Sequence, residues 1–198
     1  KYEPEMIDFR RLCIEIHNLI RLMFGAPPLK WDSPLAERAQ AWALYLSNSQ
    51  ETKYDAYSKY GDSVYSTDRL HNVTSLCLNA FYEWILELKH YEKNPDSPLN
   101  DPESLSITLK NETKRFTQMI WAGSEKIGIG EAGKAISKHY LVVSYFPPGN
   151  DQRHFKRNLF RFRRIPISCV WSVVLLANPG NDIKTNASRK FHYKVISD

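Results

Sequence analysis

Cysteine is scarce in this chain: 3 among 198 residues, at Cys13, Cys77 and Cys169. The number is odd and no C-x-x-C occurs, which excludes a dense disulfide framework and a zinc ribbon. Buried free thiols are the expectation, with one Cys13–Cys77 bridge open to a secreted chain. Long apolar runs are missing too. The longest, Ile165 to Ala177, is broken by Pro166 and Ser172 and falls short of the ~20 residues of a membrane span. No H-E-x-x-H, H-x-H, P-loop or G-x-S-x-G is present, so those metal, phosphate and nucleophile-elbow chemistries have no footing. One glycine cluster, Gly128-Ile-Gly130-Glu-Ala-Gly133, matches G-x-G-x-x-G. A dinucleotide site needs a helix to open after it. A β-like run follows instead, so these read as hairpin glycines.

What is present is ordinary in bulk and unusual in detail. Hydrophobic content is 42%, charged content 25%, and the formal net charge is +5. A chain of this length fits one domain, or one domain with an extension, and buries a core without staples. Five Trp, eleven Tyr and nine Phe make it rich in aromatics, which dominate packing or line a cleft. The positive balance favours anionic partners without choosing among them. Asn72-Val-Thr, Asn111-Glu-Thr and Asn186-Ala-Ser are glycosylation sequons that arise easily by chance.

Apolar spacing predicts a first amphipathic helix through Leu12, Cys13, Ile16, Leu19, Ile20, Met23 and Phe24, stopped by Gly25 and Pro27-Pro28. Ser33-Pro34 starts a second helix, continued by Leu35, Ala39, Trp42, Ala43 and Leu46. Residues 51 to 67 read as loop. Val73, Cys77, Ala80, Phe81, Trp84, Leu88 and Tyr91 mark a third helix. A Pro-containing loop runs from Lys93 to Asn111, and Phe116, Met119 and Ile120 suggest a short fourth helix. Lys126 to Glu131 and His139 to Phe146 form a hairpin, and Val170 to Ala177 with Lys190 to Ile196 suggest another. Helices first and strands later give an α+β chain.

The six histidines are scattered. His17 lies near the apolar stripe of the first helix and reads as a satisfied, partly buried side chain rather than a ligand. Glu87 and His90 share a helix face at i, i+3, and read as a solvated pair. The basic stretch holds Arg153, His154, Lys156, Arg157, Arg161, Arg163 and Arg164, with Phe155, Leu159, Phe160 and Phe162 interleaved. Such cations suit an anionic membrane, at about 1 kcal/mol each. Interleaved aromatics also suit stacked bases. A solvated edge with its Phe residues packed inward explains the same residues.

Four segments carry a family resemblance. They are His17-Asn18-Leu-Ile-Arg21; Gly25-Ala-Pro-Pro-Leu-Lys-Trp31 with Leu35-Ala36 and Ala39-Gln40; Phe116-Thr-Gln-Met-Ile-Trp121; and Tyr145-Phe-Pro-Pro-Gly-Asn150. In order and spacing they resemble the CAP superfamily of cysteine-rich secretory, antigen 5 and pathogenesis-related proteins. The Golgi-associated, intracellular branch looks closest by pattern, with Ile129 and Val143 where secreted members carry cysteines. The resemblance implies a three-layer α-β-α sandwich over residues 1–164. Residues 165–198 form a C-terminal extension, expected as a β-hairpin packed on the domain.

The family's cleft holds two His and two acids, sometimes around zinc. Its acids fall on Glu87 and Asp62, and one His falls on Arg115. The other His falls near Tyr54. Arg stays protonated and offers only donors, so Arg115 cannot ligate a metal or act as a base. The expected cleft is therefore degenerate, with Asp62, Glu87 and Arg115 in one ion-pair network and Arg115 lowering the pKa of Glu87. No metal, cofactor or catalysis is expected. The resemblance implies binding of a sterol, a fatty acid or an anionic phospholipid surface, with Arg153, Lys156, Arg157, Arg161, Arg163 and Arg164 as the anion contact. Phe81, Tyr82, Trp84 and Tyr91 are nearby aromatics that suit an apolar ligand, and ordinary core packing explains the same residues at least as well. No nucleic acid partner is expected. A protein partner or a homodimer is the alternative, and a metal-independent hydrolase using Glu87 a weaker one. The expected place is the cytoplasm at a membrane periphery, with secretion as the alternative.

Overall fold

The computed structural model describes residues 9–51, 58–68, 73–87, 114–133 and 138–159. Tyr54, the loop from Lys93 to Asn111, the second expected hairpin and the 164/165 boundary lie outside the described residues.

The first apolar stripe forms α1, Phe9–Met23, and buries Leu12, Cys13, Ile16, His17, Ile20, Arg21 and Met23 along one side. It ends at Gly25, whose φ of 69° is open to glycine at little cost. A two-residue strand, β1 (Lys30–Trp31), follows. Helix α2, Ser33–Ser49, is capped one residue earlier than the Ser-Pro pair suggests: Asp32 Oδ1 accepts from Leu35 N at 3.0 Å. Residues 61–67 were expected as loop, yet Gly61–Thr67 is strand β2. Its polar sequence hides it, because only Ser63 and Val64 are buried. Helix α3 spans Val73–Leu86, and residues 114–119 form the short helix α4. Strands β3 (Lys126–Ala132) and β4 (His139–Phe146) are the expected antiparallel pair. A 3-10 turn, Gln152–His154, and the single turn α5, Phe155–Asn158, follow.

The four strands make one sheet in the order β1-β3-β4-β2. β1 runs parallel to β3, and the other pairs are antiparallel. Alternation along the strands divides the core in two. Ile127, Ile129, Leu141, Val143 and Tyr145 pack with α1, α3 and α4. Val64, Ala132, Tyr140 and Val142 pack with Ala39, Ala43 and Leu46 of α2. The expected α-β-α layering is therefore present. Ile129 and Val143 are direct cross-strand partners, both buried.

Two of the glycines in the G-x-G-x-x-G match have a packing role. A Cβ at Gly128 would lie 2.3 Å from Ala36 N, and one at Gly130 would lie 2.2 Å from Gln40 N. Their bareness lets the α2 main chain rest directly on β3. Gln40 then pairs with the β3 backbone beyond the end of β1, donating to Glu131 O at 2.6 Å and accepting from Glu131 N at 3.2 Å. An otherwise open strand edge is satisfied by a helix side chain.

Cys13 and Cys77 are joined by a disulfide, with their Cα atoms 5.9 Å apart. This corrects the expectation of free thiols. Both lie at 0% exposure between α1 and α3, and burial alone did not distinguish a bonded pair from two thiols.

A cleft closed by arginines

Asp62 and Ser144 are direct partners across β2 and β4, on the face that α2 covers. Arg38 of α2 reaches them both. Its Nη1 donates to Asp62 Oδ1 at 2.8 Å and to Ser144 Oγ at 2.9 Å, and its Nη2 donates to Asp62 Oδ2 at 2.8 Å. The Ser144 hydroxyl also donates to Asp62 Oδ1 at 2.6 Å. The fork geometry of guanidinium on carboxylate is the strong form of such a pair. Arg38 also lies over the Tyr60 ring, 4.8 Å from its centroid.

Glu87 belongs to the other side of the sheet. It follows the last turn of α3, and its carboxylate meets the start of α4. Oε1 accepts from Arg115 Nε at 2.6 Å; Oε2 accepts from the backbone N–H of Arg115 at 3.1 Å and of Phe116 at 2.9 Å. These are donors that a helix start leaves without intrahelical partners. The carboxylate also complements the positive end of the helix dipole. The other end of α4 is held by a cation. Arg21 Nη1 donates to Met119 O at 3.0 Å and Trp121 O at 2.9 Å. Its Nη2 donates to Ser124 O at 2.9 Å, and its Nε donates to Pro27 O at 2.7 Å. A six-residue helix does not hold in isolation. Here an acid from α3 and a base from α1 close its two ends.

Three corrections follow. Asp62, Glu87 and Arg115 do not form one network: Asp62 pairs with Arg38 and Glu87 with Arg115. Glu87 is buried rather than solvated, and His90 lies outside the described residues. The Glu87 pKa is raised rather than lowered, because desolvation outweighs the opposing backbone donors and Arg115. Phe81 and Trp84 lie in the core, in line with the packing reading of these aromatics.

His17 is buried at 0% exposure, more deeply than expected. Its Nε2 is 3.1 Å from the Tyr145 hydroxyl, and its Nδ1 has no partner among the described residues. Burial, then the Arg21 charge, hold the imidazole pKa well below 6.5. Burial pushes the Tyr145 phenol far up, so it stays a neutral donor. In the unfolded chain His17 takes a proton near pH 6.5. The folded protein refuses that proton, so the unfolded state is favoured as pH falls. Stability should drop below pH 6.5 by up to about 1.4 kcal/mol per pH unit from this group. Urea unfolding of the wild type and of His17→Gln between pH 7 and pH 5 checks it. Equal slopes in the two proteins would mean that the imidazole is not sequestered.

The basic stretch is seen only in part. Arg153 and Arg157 are exposed, while Phe155 and Leu159 turn inward at i, i+4. Arg153 is already engaged, its Nη2 donating to Asp151 Oδ2 at 2.9 Å and its Nε to Asp151 Oδ1 at 3.2 Å. Lys156 sits on α5, and Arg161, Arg163 and Arg164 lie outside the described residues.

The donor set does not fit zinc. Thiolate, imidazole and carboxylate are the ligands zinc takes, and both acids here are held by guanidinium on opposite faces of the sheet. Among the described residues no three His, Cys, Asp or Glu side chains converge. Also among these residues, no helix is long and apolar enough to cross a membrane.

Two of the motif segments that carry the resemblance are joined by one clasp. Thr117 Oγ1 donates to Asn150 Oδ1 at 2.6 Å, and Asn150 Nδ2 donates to Lys114 O at 2.8 Å. Gln118 Oε1 accepts from Gly149 N at 2.7 Å, and its Nε2 donates to Ser124 Oγ at 3.1 Å. Asn18 pairs both ways with the Leu29 backbone, at 3.0 and 2.7 Å. Arg21 is the residue that sequence reasoning missed as central; its only signal was its place in the His17-to-Arg21 motif.

Comparison with known proteins agrees with this architecture. The chain is 26% identical over 154 residues to Golgi-associated plant pathogenesis-related protein 1 of Homo sapiens, covering 77% of this chain and 92% of that protein. It is 26% identical over 162 residues to a probable pathogenesis-related protein of Arthroderma benhamiae, covering 77% of this chain and spanning 48% of that protein's length. It is 33% identical over 130 residues to venom allergen 5 of Vespula maculifrons, covering 63% of this chain and 59% of that protein. Among solved structures, NaASP2 with Zn²⁺ superposes with a TM-score of 0.58 at 18% identity, covering 74% of this chain and 84% of that one. Na-ASP-1 does so at 0.56 and 20% identity, covering 72% and 39%. At these identities the structures speak for the fold. The model of the CAP family, the cysteine-rich secretory protein family, matches residues 14–146, and the chain belongs to that family.

Proposed function

We propose that this CAP domain is a non-catalytic module that associates with anionic lipid surfaces. The observation that carries the non-catalytic part is the state of its two cleft acids. Asp62 accepts Arg38 through both oxygens, and Glu87 accepts Arg115 and two backbone N–H groups. A general base must be within reach of a substrate proton and able to accept it. Neither carboxylate has an oxygen to spare. Among the described residues no donor set matches the zinc named with NaASP2.

The lipid part is supported by the basic segment after β4. Its aromatic and aliphatic members Phe155 and Leu159 anchor it to the core, and Arg157 faces outward. Arg153 contributes less than a free cation, because Asp151 already neutralises it. The remaining positive charge of the segment's sequence is that of Lys156, Arg157, Arg161, Arg163 and Arg164, roughly 1 kcal/mol each at an anionic surface. Co-sedimentation with phosphatidylserine vesicles should show binding that weakens with salt. Phosphatidylcholine vesicles should bind little. Arg161→Glu with Arg163→Glu should lower binding more than tenfold; unchanged binding in that variant would remove the basic segment as the contact.

The Cys13–Cys77 bond bears on the compartment. Disulfides persist where the surroundings are oxidising. The bond supports secretion, or the lumen of a secretory organelle, over the cytoplasmic placement expected from the sequence. Attachment to a membrane periphery is compatible with that placement.

A further inference from the structure

A small pocket lies at the end of the sheet where β2 and β3 begin and β4 ends, sharing Tyr60 with the Arg38–Asp62 pair but lined by neither of its charged members. It is lined by Asp32, Pro34, Leu35, Lys59, Tyr60, Lys126 and Phe146, with a volume of about 170 Å³. Pro34 and Leu35 come from the first turn of α2, and Lys126 and Phe146 face each other across β3 and β4. Tyr60 and Phe146 meet edge to face at 5.8 Å. Phe146 is one of the few large apolar side chains left substantially exposed, at 39%. A dry cavity of ~150 Å³ accepts a benzene ring. The space therefore fits one ring, and it is too small for an acyl chain.

The charges at its rim select the sign of the guest. Asp32 is fully used: Oδ1 caps α2, and Oδ2 holds Lys126 Nζ at 2.9 Å. Lys126 remains half exposed beside it. Lys59 adds a second ammonium, 5.3 Å from the Tyr60 ring centroid. Within the lining, two cations face one committed carboxylate, a surplus of one positive charge; the exposed Glu125 beside Lys126 lies outside the lining. The positive end of the 17-residue helix α2 points the same way. One ring and one surplus cation describe a monoanion with a flat apolar body. A polyanion would meet Asp32, and a cation would meet Lys59.

We propose that this pocket binds a small aromatic carboxylate, with the ring between Phe146, Tyr60, Pro34 and Leu35 and the carboxylate against Lys59 and Lys126. The site is independent of vesicle binding. Phenylacetate titrated into the intact protein should give saturable amide shifts at Lys59, Tyr60, Lys126 and Phe146. Acetate, which lacks the ring, and 2-phenylethanol, which lacks the charge, should bind more weakly. Phenethylammonium should not compete. Lys59 is exposed, so Lys59→Met should fold normally and weaken phenylacetate about fivefold. The same variant should leave 2-phenylethanol and phosphatidylserine vesicle binding unchanged. Absence of saturable shifts, equal phenylacetate affinity in Lys59→Met, or effective competition by phenethylammonium would each overturn the assignment.

Discussion

Replacing Arg21 by Met should destabilise the protein by about 4 kcal/mol or more, a large part of the stability of a domain this size. The side chain is buried at 0% exposure, and among the described residues it has no carboxylate partner. Burial pushes its pKa down to about 10, so it remains a cation at neutral pH. Four backbone carbonyls, from Pro27, Met119, Trp121 and Ser124, take its protons. A methionine of similar length fills the space and takes the guanidinium donors from all four; Trp121 O keeps the Ser124 N–H at 3.1 Å, and Pro27 O, Met119 O and Ser124 O lose theirs. Each unsatisfied buried carbonyl costs about 1–3 kcal/mol, less whatever water recovers. Arg21→Lys should fall between wild type and Met, since an ammonium has three donors but no planar fork. Urea denaturation of the three proteins decides it. A loss below about 0.5 kcal/mol in Arg21→Met, the range of an ordinary surface change, would show that the guanidinium does not hold α1 to α4.

Reduction of the Cys13–Cys77 bond should cost about 4 kcal/mol, because it releases a loop of 64 residues in the unfolded chain. For a domain of this size that corresponds to a fall of about 10 °C in melting temperature. The comparison is a thermal melt with and without a phosphine reductant, repeated on Cys13→Ala with Cys77→Ala. The double variant should melt like the reduced wild type and ignore the reductant. Alkylation under denaturing, non-reducing conditions should modify one of the three thiols. Modification of all three, or a melt indifferent to reductant, would mean that the two sulfurs are not bonded in the protein as made.

The helices were legible because their signals are local. The stripe from Leu12 to Phe24 and the Ser-Pro start of α2 each announce themselves within one segment. Strand β2 was not legible, since Ser63 and Val64 alone are buried and alternation needs more than that to be seen. The resemblance singled out Asp62, Glu87 and Arg115. It did not place their partners. Arg38 precedes Asp62 by 24 residues, and only the packing of α2 on the sheet brings the two together. The direction of the Glu87 shift failed for the same reason. Charge proximity can be guessed from a motif, whereas desolvation depends on everything packed around the carboxyl. Motif residues such as Thr117, Gln118 and Asn150 carried the resemblance with no role assigned to them. They are fasteners between α4 and the segment after β4.

Gly128 and Gly130 set the height at which α2 rides above β3, because main chain meets main chain there. Arg38 and Gln40 ride on that helix, and each spans a fixed gap to its acceptor. A single added methyl on β3 would lift the platform and pull both side chains out of range at once. The neutralisation of Asp62 is thus set by two positions that bear no side chain, on a strand that Asp62 does not belong to. Sequence drift in this protein should be least forgiving where its residues are smallest.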